Sequence, residues 1–298
     1  MKKISTVVIM LLLMLASFTA GMEYPRGDVN YDQSVDIDDV TCLINYILHG
    51  TWPADEPETE TFTVNGVSFT MVTVEGGTFM MGASDNDSEA YDREKPAHEV
   101  TVSSFAIGQT EVTQALWQAV MGNNPSDFAD NLQCPVECVS WDDCKHFINS
   151  LNQLTGRAFR LPSEAEWEFA ARGGNLSHGY KYAGSNNVDE VAWCWDNIPS
   201  SNEGTDYGTK MVATKSPNEL GLYDMSGNVM EWCQDKYVGY NGEMLMDTTE
   251  TTELLPNGFL YVNRGGSWRG LASGCRVSSR SYDFQNETLN IIGLRLAL

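Results

Sequence analysis

Basic residues are scarce in this chain. Eighteen lysines and arginines stand against 41 aspartates and glutamates, for a formal net charge of −23. So acidic a surface repels nucleic-acid phosphates and anionic lipid, and no basic cluster reverses it, so cations rather than nucleic acid are the natural partners. Histidine is scarcer still: His49, His98, His146 and His178 are scattered without zinc-like spacing, which leaves no histidine metal centre. Beyond residue 21 no apolar run approaches a membrane span. From Val64 onward internal repeats and sustained strand–helix alternation are both missing. GGSWRG is not a nucleophile elbow, because Arg269 stands where the last glycine should be, so a serine hydrolase is unsupported.

Apolar residues are plentiful. They make up 42% of 298, enough for one large domain and a small accessory segment. The opening MKKISTVVIMLLLMLASFTAG has two lysines, a continuous apolar run and then small residues. That is the layout of a secretory signal peptide, cleaved near residues 20–21. The first cysteine, Cys42, is far from that junction, so lipid attachment there is not expected, and the mature protein should be exported, periplasmic or extracellular. An oxidising compartment permits disulfides, and seven cysteines leave at least one thiol unpaired or paired to another chain. Cys134 and Cys138 are close enough to close a small loop. Cys144, Cys194, Cys233 and Cys275 lie in segments expected to pack.

The stretch GDVNYDQSVDIDDVTCLINYILHG sets Asp28, Asn30, Asp32, Asp36 and Asp39 at loop positions 1, 3, 5, 9 and 12, with Ser34 at position 7. Alternate residues of a tight loop point inward, and the last carboxylate comes from the first turn of the next helix, as calcium requires. Val40, Leu43, Ile44 and Ile47 give that helix an apolar stripe. These residues resemble one half of a dockerin, the calcium-stabilised module that carries proteins of polysaccharide-degrading systems onto cohesin partners. Two departures stand out: Gln33 replaces the usual glycine at position 6, and a second repeat is missing. TWPADEPETET then reads as an acidic linker. The expected organisation is a signal peptide over 1–21, a dockerin-like half repeat over 22–52, a linker over 53–62 and a large domain over 63–298.

Three helices are expected in the large domain. TQALWQAVMG is closed by Gly122. A second starts at Ser140, whose SWDD forms a capping box, and buries Trp141, Cys144, Phe147, Ile148, Leu151 and Leu154 before Gly156 ends it. SEAEWEFAARGG is capped by Ser163 with Glu166 reciprocating. Elsewhere Gly, Asn, Ser, Trp and Tyr are dense, so the domain reads as α+β, loop-rich with few helices.

Seven segments, among them MVTVEGGTFMMGA, CPVECVSWDDCKHFINSLN, FRLPSEAEWEFAARGG, NELGLYDMSGNVMEWCQD, NRGGSWRG and GLRLAL, occur in the order expected of the formylglycine-generating enzyme, or sulfatase-modifying factor, family. The resemblance runs from about residue 66 to the last. It implies a variant of the C-type lectin fold, internal calcium and, in the prototype enzymes, copper-dependent oxidation of a sulfatase cysteine to formylglycine. It also implies a calcium site made by the side chains of Asp224 and Glu231 and the carbonyls of Gly227 and Val229. A second calcium site would involve Asn197 and Asp206.

Copper(I) in that family is held by two cysteines, a soft-ligand pair suited to this ion. Counting forward from Ser267, the first position is Gly270 and the second is Cys275. Counting back from the last residues puts Ala272 at the second position and leaves both thiols missing. Copper is therefore not expected, and Cys275 is catalytic only if another ligand completes the pair. What remains is recognition. Ser267, Trp268, Arg269, Arg276, Arg280, Tyr282 and Phe284 would line the surface that is a groove in the enzymes. For Arg276 and Arg280 the other reading is packing inside the core. The expected function is that of an exported, calcium-stabilised protein binding a glycan or a protein. Two alternatives stand: a sulfatase-modifying oxidase, and a scaffold component docking to a cohesin-like partner.

Overall fold

Asn65 and Gly66, at φ 49° and 83°, reverse the chain between β1 (Thr59–Val64) and β2 (Val67–Val74). An Asn-Gly pair tolerates the two positive φ angles that such a tight hairpin demands. The computed structural model describes residues 57–198, 207–240 and 258–298. The signal segment, the loop of Asp28, Asn30, Asp32, Asp36 and Asp39, and Asp206 lie outside the described residues. Residues 59–62, read from composition as the end of the linker, belong to β1. There Phe62 faces Phe69 across the ladder and stacks on it at 5.5 Å, a contact that outweighs the acidic flanks.

After β3 (Gly77–Met81), which pairs with β4 (His98–Val102), comes β5 (Phe105–Gly108). It completes a three-stranded antiparallel sheet in the order β1-β2-β5. The three expected helices follow. In α1 (Gln114–Met121) the Thr113 side chain accepts from the Leu116 amide, and Gly122 closes the helix at φ 79°. In α2 (Trp141–Thr155) Ser140 and Asp143 form the capping box, and Gly156 ends it at φ 67°. In α3 (Glu164–Ala171) Ser163 and Glu166 do the same. Leu154, read as part of the buried stripe of α2, is exposed. Trp141 is half-buried and stacks on Tyr261 at 4.0 Å. One core gathers Trp117, Phe147, Leu151, Phe159, Trp232 and Leu294, with Trp117 stacked on Phe147 at 4.8 Å. A second gathers Val72, Ile107, Trp167, Phe169, Leu222 and Val262.

A single helical turn, α4 (Val188–Val191), leads into β6 (Ala192–Trp193), which runs parallel to β7 (Ser226–Gly227). The strands β8 (Met230–Lys236), β9 (Leu260–Arg264), β10 (Arg280–Phe284) and β11 (Ile292–Gly293) form a sheet in the order β10-β9-β8-β11. Beyond β11 the chain crosses to the first sheet, where the Ala106 amide donates to Leu298 O and Ala297 bridges both Ile107 and Arg160. The result is a mixed α+β fold with three helices of at least eight residues among those described. Cys134 and Cys138 are not paired. Cys138, held at φ 58°, hydrogen-bonds to Glu137, while the Cys134 Sγ lies 3.9 Å from Thr209 O.

Candidate ligand-binding site

Where β9 ends, Gly265 and Gly266 turn the chain at φ 95° and 72°. The turn is tight: a Cβ on Gly266 would stand 2.7 Å from Gly274 O and 2.8 Å from the Cys275 Sγ. Only glycine lets the two strands of backbone pass so closely. On the outer side of this turn lies a cleft of about 430 Å³ whose walls include Arg93, Asn263, Ser267, Arg269, Gly270 and Arg280.

Of the seven residues expected to form a ligand surface, Ser267, Arg269 and Arg280 line this cleft. Trp268 lies behind it, fully buried, with its Nε1 donating to Asn290 O at 2.9 Å and its ring edge-on to Phe128 and Tyr207. Arg276 is buried on the carboxylate of Glu94. Tyr282 packs on Tyr237 at 4.1 Å, and Phe284 pairs with Leu260 in the sheet.

The arginines separate into two groups. Arg280 donates Nε to Glu164 Oε1 at 2.7 Å and Nη2 to Oε2 at 2.6 Å. Arg276 grips Glu94 with Nη1 and Nη2, both at 2.8 Å. Arg264 faces Glu168, and its Nη1 donates to the carbonyls of Ser278 and Ser279. Burial raises Glu164, with Arg264 and Arg280 opposing. In Glu168 burial is outweighed by Arg264 and Arg172, so its carboxyl sits below the usual range. Arg295, Arg172, Arg160 and Arg157 face Glu231, Glu168, Glu166 and Glu60. Among the described residues, Arg93 and Arg269 alone have no carboxylate partner, and both stand on the cleft. Arg93 is held by the Arg280 carbonyl, 2.7 Å from its Nε, and by the Tyr91 ring at 4.4 Å. Arg269 is exposed.

A second polar centre lies in the segment from Asp224 to Glu231. Asp224 and Asn228 adopt left-handed φ angles of 58° and 57°, and Gly227 lies between them at 83°. Such angles strain a non-glycine residue and are kept where a site uses them. Asp224 Oδ2 accepts from the Ala213 amide at 2.7 Å, whereas Oδ1 is buried without a partner. Glu231 accepts Arg295 on both oxygens and Trp167 Nε1 at 2.6 Å. Glu111, absent from the sequence reading, joins them: it accepts from the Val229 amide at 3.0 Å and from Asn228 Nδ2 at 2.7 Å. All three carboxylates are buried, and Arg295 is the buried cation that faces them. Burial first, then Asp224 and Glu231, pushes Glu111 well up. Burial likewise lifts Asp224 to about 6. The centre therefore holds a surplus of buried negative charge and one orphan oxygen, the setting a hard cation relieves. Asn197 is engaged elsewhere, donating to Asp189 Oδ1 and Ala192 O.

Cys275 is fully buried, and its sulfur does not line the cleft. Its sulfur donates to Leu271 O at 3.8 Å and shares a small apolar cluster with Cys194, whereas Cys144 and Cys233 belong to the two larger cores. Gly270, at the other expected ligand position, lines the cleft without a thiol. The residues present do not fit a copper(I) site opening on the cleft, since two accessible sulfurs would be needed there.

Sequence reasoning missed Arg93, Glu111, Cys194 and Arg295. Arg93 carried one signal, an arginine amid the acidic run DNDSEAYDRE.

Similarity to known proteins follows the same lines. The chain is 33% identical over 255 residues to a protein named Chaperone protein LppX from Paenibacillus barcinonensis, covering 71% of this chain and 83% of that one. It is 27% identical over 293 residues to an Inactive C-alpha-formylglycine-generating enzyme 2 from Bos taurus, covering 78% and 89%. The solved structure of Treponema denticola variable protein 1 superposes with a TM-score of 0.66 at 31% identity, covering 81% of this chain and 99% of that one. Residues 56–298 match the sulfatase-modifying factor enzyme 1-like domain, and the chain belongs to that family.

Proposed function

We propose that this protein is an exported, calcium-stabilised binding protein. Its fold is a C-type-lectin-like variant, and its cleft takes an anionic ligand, an acidic glycan or an acidic segment of a protein. One observation carries the reading: among the described residues, the two arginines without a carboxylate partner both stand on one cleft, in a chain of net charge −23. A guanidinium with free donors on a cleft wall selects carboxylate or sulfate groups. Kinship with a protein named as a chaperone and with one named as inactive supports a role in recognition rather than oxidation. The dockerin-like segment, if it binds calcium, would carry the domain to a cohesin-like partner. The test is a glycan array with neutral, carboxylated and sulfated members, run beside acidic and neutral peptides. Preference for the acidic members of either class is expected. Silence across both, or equal binding to neutral analogues, would refute the reading.

Calcium would be held by the Asp224 and Glu231 side chains together with the carbonyls of Gly227 and Val229. When bound, it supplies positive charge that offsets the carboxylates. A ligand that binds only the folded state raises its stability by mass action, by about 2.7 kcal/mol at a hundred times its Kd. Millimolar calcium is therefore expected to raise the Tm by roughly 5–10 °C over chelated protein, and Asp224→Ala should abolish this response. An unchanged Tm in the wild type would count against the site.

A second reading, an oxidase acting on a sulfatase cysteine, has one observation in its favour: Cys194 supplies a second sulfur next to Cys275. The burial of both sulfurs opposes it. Incubation with copper, oxygen and a Cys-x-Pro-x-Arg peptide, followed by weighing the peptide, decides. No formylglycine is expected.

A further inference from the structure

Cys194 and Cys275 stand about 80 residues apart in the chain, yet they meet in one small apolar cluster with Tyr182, Val191 and Ala192. Both are fully buried. Their backbones are stitched together on either side of the sulfurs. The Trp195 amide donates to Gly270 O at 2.8 Å, and the Ala272 amide donates to Asp196 Oδ2 at 2.8 Å. The Cys275 carbonyl is fixed in turn by the Ser226 hydroxyl at 2.7 Å. Between these anchors the two sulfurs lie in the same buried cluster, and the Cys275 S–H points to Leu271 O at 3.8 Å.

We infer that Cys194 and Cys275 form a disulfide that ties the rim of the cleft, residues 270–275, to the segment that follows β6. Neither the family resemblance nor the cysteine spacing indicates this pair. Two thiols buried in one small cluster, on backbones held by flanking hydrogen bonds, need little rearrangement to join. The oxidant is a disulfide, R–S–S–R, of the kind an oxidising compartment maintains. The Cys194 thiolate attacks one of its sulfurs, the S–S bond to the other sulfur breaks, and R–S⁻ leaves. The Cys275 thiolate then attacks the Cys194 sulfur of the mixed disulfide and expels the second R–S⁻. Two electrons pass from the cysteines to R–S–S–R, and the two thiol protons end on two R–SH.

The neighbouring Cys275 thiol lowers the Cys194 thiol to about 7, against burial, while Cys194 and burial raise Cys275. Either thiolate can start the exchange in the open chain, where this contact has not yet formed. Because both are buried, the exchange takes place before the 270–275 turn closes. Once closed, the bond is shielded from reductant.

The test uses the full-length protein. It is folded in a glutathione redox buffer, unfolded in denaturant, alkylated without reduction, digested and mapped by mass. A peptide pair joining Cys194 to Cys275, lighter by two hydrogens than its reduced parts, is expected. In the folded protein it should resist millimolar dithiothreitol that reduces it at once in denaturant. Cleaving it is expected to lower the Tm by on the order of 10 °C. Wild-type protein in which both cysteines alkylate after oxidative folding, or join other partners, overturns the proposal, as does a bond reduced equally fast in the folded state. Because these readouts come from the wild type, they stand even where Cys194→Ser or Cys275→Ser fails to fold. Anion binding at the cleft is measured separately, so either result can fail alone.

Discussion

Glu94→Ala is expected to lower the free energy of unfolding by about 3–5 kcal/mol. Glu94 is fully buried and meets both terminal nitrogens of Arg276, itself 2% exposed. Removing the carboxylate strands a guanidinium in a setting that solvates it poorly. The carbonyls of Ser273 and Glu89 remain as acceptors, but the next carboxylate, Asp87, is 3.5 Å away and partly in solvent. Urea denaturation at neutral pH measures the loss. Replacing both partners, Glu94→Leu with Arg276→Met, should recover most of it, because the cost lies in an unpaired charge rather than in a missing attraction. A single-mutant loss below about 1 kcal/mol would mean that water reaches the pair.

Replacing both Arg93 and Arg269 by alanine is expected to abolish binding to whichever acidic ligand the array identifies. Each charge-assisted contact is worth about 1.5–3 kcal/mol, so each substitution alone should weaken the Kd by roughly ten- to a hundredfold. Arg269→Lys should restore part of the affinity, since it keeps the charge and loses only the planar fork. The wild-type Kd should also rise with salt, as expected for a partly exposed contact. Arg269 is exposed and has no ion pair to lose, so its single variant should unfold like the wild type. Unaltered affinity in the double variant would move the ligand site elsewhere.

Local features of the fold were readable in the sequence. The caps Ser163 with Glu166 and Ser140 with Asp143 act over three residues, and Gly122 and Gly156 end their helices by their own backbone freedom. Contacts made across the chain were not. Arg276 and Glu94 are 182 residues apart, and Arg280 and Glu164 are 116. An arginine in a loop-rich segment looks the same whether it points to solvent or to a carboxylate brought from elsewhere. The sequence therefore left two readings open for Arg276 and Arg280, and partner geometry places both guanidinium groups in the interior. The same applies to Cys194, which packing sets beside Cys275. Leu154 fitted the helical period of α2 yet is 54% exposed, since period alone does not say whether another element covers that turn.

The segment 292–298 threads both sheets and carries Arg295, the counter-ion of Glu231. Ribosomes deliver residues in order, so this piece emerges after all the elements it joins. Until it arrives, Glu231 lacks its Arg295 partner, and β5 and β8 each lack a neighbour. Joining the two sheets therefore waits for residues made after every element they connect.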